Sequence, residues 1–203
     1  MELIEHTSVK RRKHTCYVIW LLTPKELYLI LVNFTITEVV LNIQLETSMA
    51  KYKIYTDGSS ARSDNDSPWI SGVGYVILDS ENNLVSEGSC GGYDKIGAAE
   101  LRAAIMGIED AMNIAQDVDN STFVVYSDSK YVVNAINRDM YLWKNEVRYK
   151  ERVNYNLIEN LLRLSREATI RSNWVSSRVS NDYNNFAHDI ANESRREFLL
   201  CEA

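Results

Sequence analysis

A chain of 203 residues that is 45% apolar and 25% charged has the composition of an ordinary soluble globular protein, which excludes a fibrous or wholly disordered architecture. The length allows one domain of about 150 residues with a segment left over, and a domain of that size can bury a core without disulfides or a structural metal. The formal net charge of -6 argues against a uniformly basic nucleic-acid-binding surface. It does not exclude one binding face, because cations held by clustered acids reverse the local sign.

Residues 1–48 contain neither Asp nor Gly and open with the basic run Lys10-Arg11-Arg12-Lys13. The apolar runs 17–22 and 27–32 are broken by Pro24, Lys25 and Glu26, which leaves each too short to span a bilayer. No small-residue cleavage site follows the first run, so a secretory signal is not expected. Two readings stand for 1–48: an upstream in-frame extension ahead of a domain that starts at Met49, or an arm that touches a membrane surface or a partner. Cys16, Cys90 and Cys201 are far apart and outside any zinc-ligand spacing. They are expected to be reduced, as in a cytoplasmic protein.

From residue 51 the pattern is regular. Lys51–Asp57 alternates as a strand that ends at an acid followed by Gly58. Gly72–Leu78 reads as a second strand, Asp79–Asn83 as a turn, and Leu84–Gly88 as a third strand, together an antiparallel meander. Leu101, Ile105, Ile108 and Met112 mark one face of a helix from about Gly97 to Gln116. Thr122–Tyr126 has the apolar run of a buried strand, and Val132, Val133 and Ile136 belong to a short helix beyond it. A helix over Asn156–Ala168, a strand over Thr169–Val175 and a helix over Asp182–Phe198 complete the order. The expected fold is α/β, a five-stranded mixed sheet with three antiparallel and two parallel strands, flanked by helices.

Four acids stand where a structural role is awkward. Asp57 ends the first strand, Asp128 follows the fourth, Glu100 lies in the long helix beside Ala103, Ala104 and Gly107, and Asp189 is in the last helix. Taken singly, each has a plain alternative as a turn former, a helix N-cap or a solvated acid. Together, two strand-end acids and one from each of two packed helices can converge. At ~4–5 Å each like-charge pair costs roughly 3–4 kcal/mol at an effective dielectric constant near 20. Cations relieve that repulsion, and an all-oxygen ligand set selects Mg²⁺ or Mn²⁺. Paired ions of this kind suit in-line displacement at phosphorus, which makes phosphodiester hydrolysis the expected reaction class.

At these residues the chain resembles the type 1 ribonuclease H family. Tyr55-Thr56-Asp57-Gly58-Ser59 is similar to the family's TDGS strand, Ala99-Glu100-Leu101 to its helical acid motif, and Ser127-Asp128-Ser129-Lys130-Tyr131-Val132 to its TDSxYV motif. Trp174-Val175 followed by Asn185 and Asp189 resembles the closing segment. The resemblance covers about 145 residues. It implies a ribonuclease H-like fold and a two-metal-ion endonuclease that cuts the RNA strand of RNA–DNA hybrids to leave 5′-phosphates; separately, a monomer is expected. Asp57, Glu100, Asp128 and Asp189 would be the catalytic, metal-binding set. Ser59, Ser60 and Asn185 would lie near the substrate backbone, Trp143 and Lys144 would begin a short basic protrusion, and Arg178 would be the nearest candidate for the role of a missing loop His. The alternative is a non-catalytic module of the same fold that binds hybrid or a protein partner.

Three departures from the family pattern are visible. Lys95-Ile96-Gly97-Ala98 stands where the family usually places paired Asn residues that read the RNA 2′-OH. The stretch 176–184 holds no His, and His188 is expected to point about 100° away from Asp189 around the helix, as a bystander. The Gly-Pro-rich loop after the first strand is replaced by Ala61-Arg-Ser-Asp-Asn-Asp-Ser-Pro68.

Overall fold

A computed structural model describes residues 8–11, 14–17, 50–176 and 182–202. Contacts divide the chain into two units, Met1–Ser48 and Met49–Ala203. In the first, β1 (Ser8–Arg11) and β2 (His14–Tyr17) pair antiparallel. Arg178 lies outside the described residues, as do both apolar runs of the N-terminal segment apart from Tyr17.

The second unit holds β3 (Ala50–Ala61), β4 (Ile70–Leu78), β5 (Leu84–Gly92), α1 (Ile96–Ile114), β6 (Ser121–Ser127), α2 (Lys130–Asn134), α3 (Met140–Trp143), α4 (Tyr155–Glu167), β7 (Thr169–Trp174) and α5 (Asp182–Cys201). Its sheet has the order β5-β4-β3-β6-β7. β3, β4 and β5 pair antiparallel, and β3, β6 and β7 run parallel. This is the mixed sheet expected from the sequence. β3 is longer than expected, however. It continues four residues past Asp57, with Asp57 opposite Gly74 and Gly58 opposite Val73, so Gly58 is an extended residue and not the start of a turn.

Strand alternation assigns each face of the sheet to one helical layer. Ile54 and Ile77 join Leu101, Ile105 and Ile108 of α1 and Ile158, Leu161 and Leu162 of α4 in the main core. On the opposite face Tyr55, Val76 and Leu78 pack with Ala187 of α5. The buried side of α5 consists of small residues, Asn184, Ala187, Ala191 and Ser194. A Cβ on Gly72 would come within 2.1 Å of the Ala191 carbonyl oxygen, and one on Gly74 within 2.3 Å of the Ala187 carbonyl oxygen. Bare glycines facing small residues therefore let α5 lie directly on β4, and this docking fixes the rotation of the helix about its axis.

The free edge at β7 is partly covered. A π turn over Ala135–Asp139 joins α2 to α3. From it the Asn137 side chain donates to the Ser172 carbonyl at 2.9 Å and accepts from the Ser172 N–H at 3.0 Å. The amide thus pairs with the edge as a short strand would.

Candidate metal and nuclease site

β3 and β6 are neighbouring parallel strands, and Tyr55–Tyr126 is the last pair in their register. Asp57 and Asp128 each lie two residues further on, so both carboxylates stand at the same end of the sheet. Ligands of open α/β sheets bind outside the carboxyl ends of the parallel strands. Glu100, the fifth residue of α1, reaches the same place because that helix rides on Gly58. A Cβ at Gly58 would fall 2.5 Å from the Glu100 backbone nitrogen and 2.7 Å from the Ala99 carbonyl carbon. The glycine of the Thr56-Asp57-Gly58-Ser59 run is thus required for close packing of helix on strand.

One oxygen from each of Asp57, Glu100 and Asp128 lies within 4.8 Å of the others. Asp57 is 6% and Glu100 9% exposed, and Glu100 Oε2 is buried without a hydrogen-bond partner. Burial, then the charges of Asp57 and Asp128, raise the Glu100 carboxyl from its ordinary 4.5 to about 9. Burial is also the largest cause of an upward shift at Asp57, opposed by its hydrogen bond with His188. An orphaned buried carboxylate oxygen beside two further carboxylates, with Asp57 and Glu100 both raised, is the donor set of a cation site. The three residues fit a divalent ion.

Asp128 is held by its backbone. Trp174 Nε1 donates to the Asp128 carbonyl at 3.0 Å, Val175 N–H donates to the Ser127 carbonyl at 3.0 Å, and Ser127 Oγ accepts from the Ser129 N–H at 3.1 Å. The half-exposed Trp174 thereby ties the loop after β6 to the end of β7.

The structure brings together three of the four acids read from the sequence. Asp189 is not in the group they form: it is exposed on α5 and lines a groove with His188, Asn192, Glu193, Arg196 and Glu197. The residue that reaches the acids from α5 is His188, whose Nδ1 is 2.7 Å from Asp57 Oδ2. The expectation that His188 is a bystander is therefore corrected. Rotation explains the exchange. At about 100° per residue, Asp189 lies nearly opposite the Ala187–Ala191 face, whereas His188 borders that face on the β3 side.

A relay of hydrogen bonds fixes the ring. Arg195 Nε donates to Ser59 Oγ at 2.9 Å, Ser59 Oγ donates to Asn192 Oδ1 at 2.7 Å, and Asn192 Nδ2 lies 2.9 Å from His188 Nε2. An arginine can only donate, so the Ser59 hydroxyl proton is free to go to Asn192. That orients the Asn192 amide with its NH₂ toward Nε2. Nε2 then accepts, and the ring proton sits on Nδ1, directed at Asp57.

Ser59 thus belongs to the site through this relay. Ser60 is on the other face of β3 and donates to the Asp94 carbonyl at 2.6 Å. Asn185 is exposed, while its neighbour Asn184 is buried. Trp143 packs beneath the Arg152 guanidinium at 4.5 Å, and Lys144 Nζ sits over the Tyr141 ring at 5.6 Å. Arg152 is also paired with Glu146 at 2.8 Å, so the segment expected to be basic partly neutralises itself. His188, Asn192 and Arg195 were missed from the sequence. The small-residue spacing Asn184, Ala187, Ala191, Ser194 is the signal that places them beside the buried face of α5.

A family model described as RNase H matches residues 49–196. The Ribonuclease H of Syntrophus aciditrophicus (strain SB) is 34% identical over 139 residues, which cover 64% of this chain and 72% of that protein. The Ribonuclease H of Tropheryma whipplei (strain Twist) is 27% identical over 152 residues, 73% of this chain and 86% of that protein. Solved structures share the fold. The N-terminal RNase H domain of a Mycobacterium tuberculosis protein, fused to maltose binding protein, has a TM-score of 0.58 at 23% identity, covering 76% of this chain and 99% of that one. LC11-RNase H1 in complex with RNA/DNA hybrid has a TM-score of 0.56 at 24% identity, covering 73% and 99%. The family match runs from the strand that carries Asp57 into the helix that carries His188, and on that ground the chain belongs to the RNase H family.

Proposed function

We propose that this protein hydrolyses the RNA strand of RNA–DNA hybrids, with divalent cations, Mg²⁺ or Mn²⁺, held by Asp57, Glu100 and Asp128. The observation that carries the reading is a trio of carboxylates, two of them buried, with one oxygen from each within 4.8 Å of the others, and a Glu100 oxygen that has no hydrogen-bond partner. In a family that depends on divalent metals, such ions activate the attacking water and stabilise the leaving oxygen of an in-line displacement. The chain's own residues prepare that chemistry. Gly58 lets α1 bring Glu100 against β3, the Trp174 bond to the Asp128 carbonyl fixes the far acid, and the low exposure of Asp57 and Glu100 keeps competing water from their oxygens. Ser59 and Arg195, joined at 2.9 Å, place a cation and a hydroxyl at the rim of the acidic site, where a phosphate backbone would lie.

The reading is supported by family membership and by the hybrid bound to LC11-RNase H1 in its solved structure. The test is incubation of the purified chain with end-labelled RNA–DNA hybrid, duplex DNA and duplex RNA, each with Mg²⁺, Mn²⁺ or chelator. Cleavage of RNA in the hybrid alone, dependent on metal, is the expected result. Metal-independent binding of hybrid without fragments would instead identify a non-catalytic module.

A further inference from the structure

The α5 side chain that touches the acidic site is an imidazole, His188, which meets Asp57. We propose that His188, and not Asp189, supplies the fourth donor to the bound cations, sharing an ion with Asp57, and that it biases the site toward Mn²⁺ over Mg²⁺. The inference rests on the metal-binding reading above and deepens it.

Geometry carries the argument. His188 Nδ1 lies 2.7 Å from Asp57 Oδ2, while Asp57 also offers an oxygen to the mutual group with Glu100 and Asp128. Asp57 therefore faces both the two acids and the imidazole. Asp57 is nearly enclosed whereas the His188 side chain is 59% exposed, so the ring is open to an ion arriving from solvent. Its second nitrogen is held 2.9 Å from Asn192 Nδ2, and the Asn192 amide is anchored by Ser59 at 2.7 Å. A metal-ligating histidine usually donates its far N–H to an oxygen, and the Asn192 amide is the group placed to offer one to Nε2. Asp189 has no comparable placement, since the docking of Ala187 and Ala191 on Gly74 and Gly72 turns it outward.

Coordination would replace the Nδ1–H to Asp57 hydrogen bond with an Nδ1 to metal bond. The ring proton moves through solvent to Nε2, and the Asn192 amide turns over: it gives up its bond from Ser59 and its donation to the His188 carbonyl, its oxygen accepts from Nε2–H, and its NH₂ donates to Ser59 Oγ. No net proton is released by the ring, and Asn192 acts as a positioning residue. An imidazole in place of one carboxylate lowers the negative charge offered to the ions and supplies a softer donor, which favours Mn²⁺ over Mg²⁺.

The experiment is Mn²⁺ and Mg²⁺ titration of the metal-free full chain by calorimetry, without nucleic acid, with pulsed electron paramagnetic resonance of the Mn²⁺-loaded protein. His188→Ala, His188→Asp, Asp189→Asn and Asp57→Asn are compared with wild type. Nitrogen-14 modulation of the Mn²⁺ signal is expected in wild type and Asp189→Asn, and is lost in both His188 variants. His188→Ala is expected to weaken Mn²⁺ binding about tenfold or more, Asp189→Asn to leave it unchanged, and His188→Asp to restore affinity with the preference shifted toward Mg²⁺. Absence of nitrogen modulation in wild type, or a larger loss in Asp189→Asn than in His188→Ala, would overturn the assignment of His188 alone if binding still depends on Asp57. Binding indifferent to Asp57→Asn would instead overturn the acidic site itself.

Discussion

Ionisation of Glu100 opposes folding of the metal-free chain. Burial first, and then the charges of Asp57 and Asp128, raise its carboxyl from 4.5 to about 9. Between those values the folded chain keeps a proton that the unfolded chain has released. Stability is therefore unaffected by this group below about pH 4.5 and falls as pH rises through the window to about 9. Each pH unit climbed within that window costs about 1.4 kcal/mol, so the penalty at pH 7 is ~3 kcal/mol. Glu100→Gln mimics the neutral acid at every pH. In chelator the variant is expected to melt with wild type near pH 4.5 and about 8–16 °C above it at pH 7.5, where the penalty reaches ~4 kcal/mol, given roughly 2–4 °C per kcal/mol for a domain of this size. Millimolar Mg²⁺ should narrow the gap, because it binds the folded wild-type site and not the unfolded chain. The assay is a set of circular-dichroism melts from pH 4.5 to 8.5 at one ionic strength, with chelator and with Mg²⁺. Two melting curves that stay parallel across pH, or a variant that melts lower at pH 8, would refute the reasoning.

Asp57→Asn should reduce metal-dependent hybrid cleavage by about a hundredfold or more in a labelled-hybrid assay. Because burial raises the Asp57 carboxyl as well, the same change should raise the melting temperature in chelator. Gly58→Ala places a methyl 2.5 Å from the Glu100 backbone nitrogen, so α1 must shift; about 1–3 kcal/mol is expected in denaturant titration, together with weaker Mn²⁺ binding by calorimetry. Asn137→Ala removes both hydrogen bonds to Ser172 at the sheet edge and should cost about 1–3 kcal/mol in the same titration, with no effect on Mn²⁺ affinity. A shortened chain beginning at Met49, the boundary between the two units, should fold cooperatively and cleave hybrid with the full chain's turnover. Loss of its thermal transition would show that the domain needs residues 1–48.

What local sequence determined here is the kind and order of the elements and three of the acids that meet at the site. Alternation of period two and apolar spacing near 3.6 are properties of consecutive residues, so the three antiparallel strands, α1 and α4 are legible without tertiary contacts. Asp57, Glu100 and Asp128 are legible for the same reason, since a carboxylate within or just after an apolar strand pattern, or beside a run of alanines, is anomalous in its immediate surroundings. The extent of β3 was not legible. Gly58 has the local appearance of a turn, and only the approach of α1, to within 2.5 Å of where its Cβ would be, shows why a glycine stands inside a strand. The choice between His188 and Asp189 was not legible either. Asn184 with His188 and Asn185 with Asp189 have the same four-residue spacing, and adjacent residues differ by about 100° around a helix. Which of the two faces Asp57 depends on how α5 is rotated, and that rotation is set by Ala187 and Ala191 seated on Gly74 and Gly72 of β4, far earlier in the chain. Docking of a helix on a distant strand is a tertiary event, so the residue that touches Asp57 was decided there and not by the residues around it.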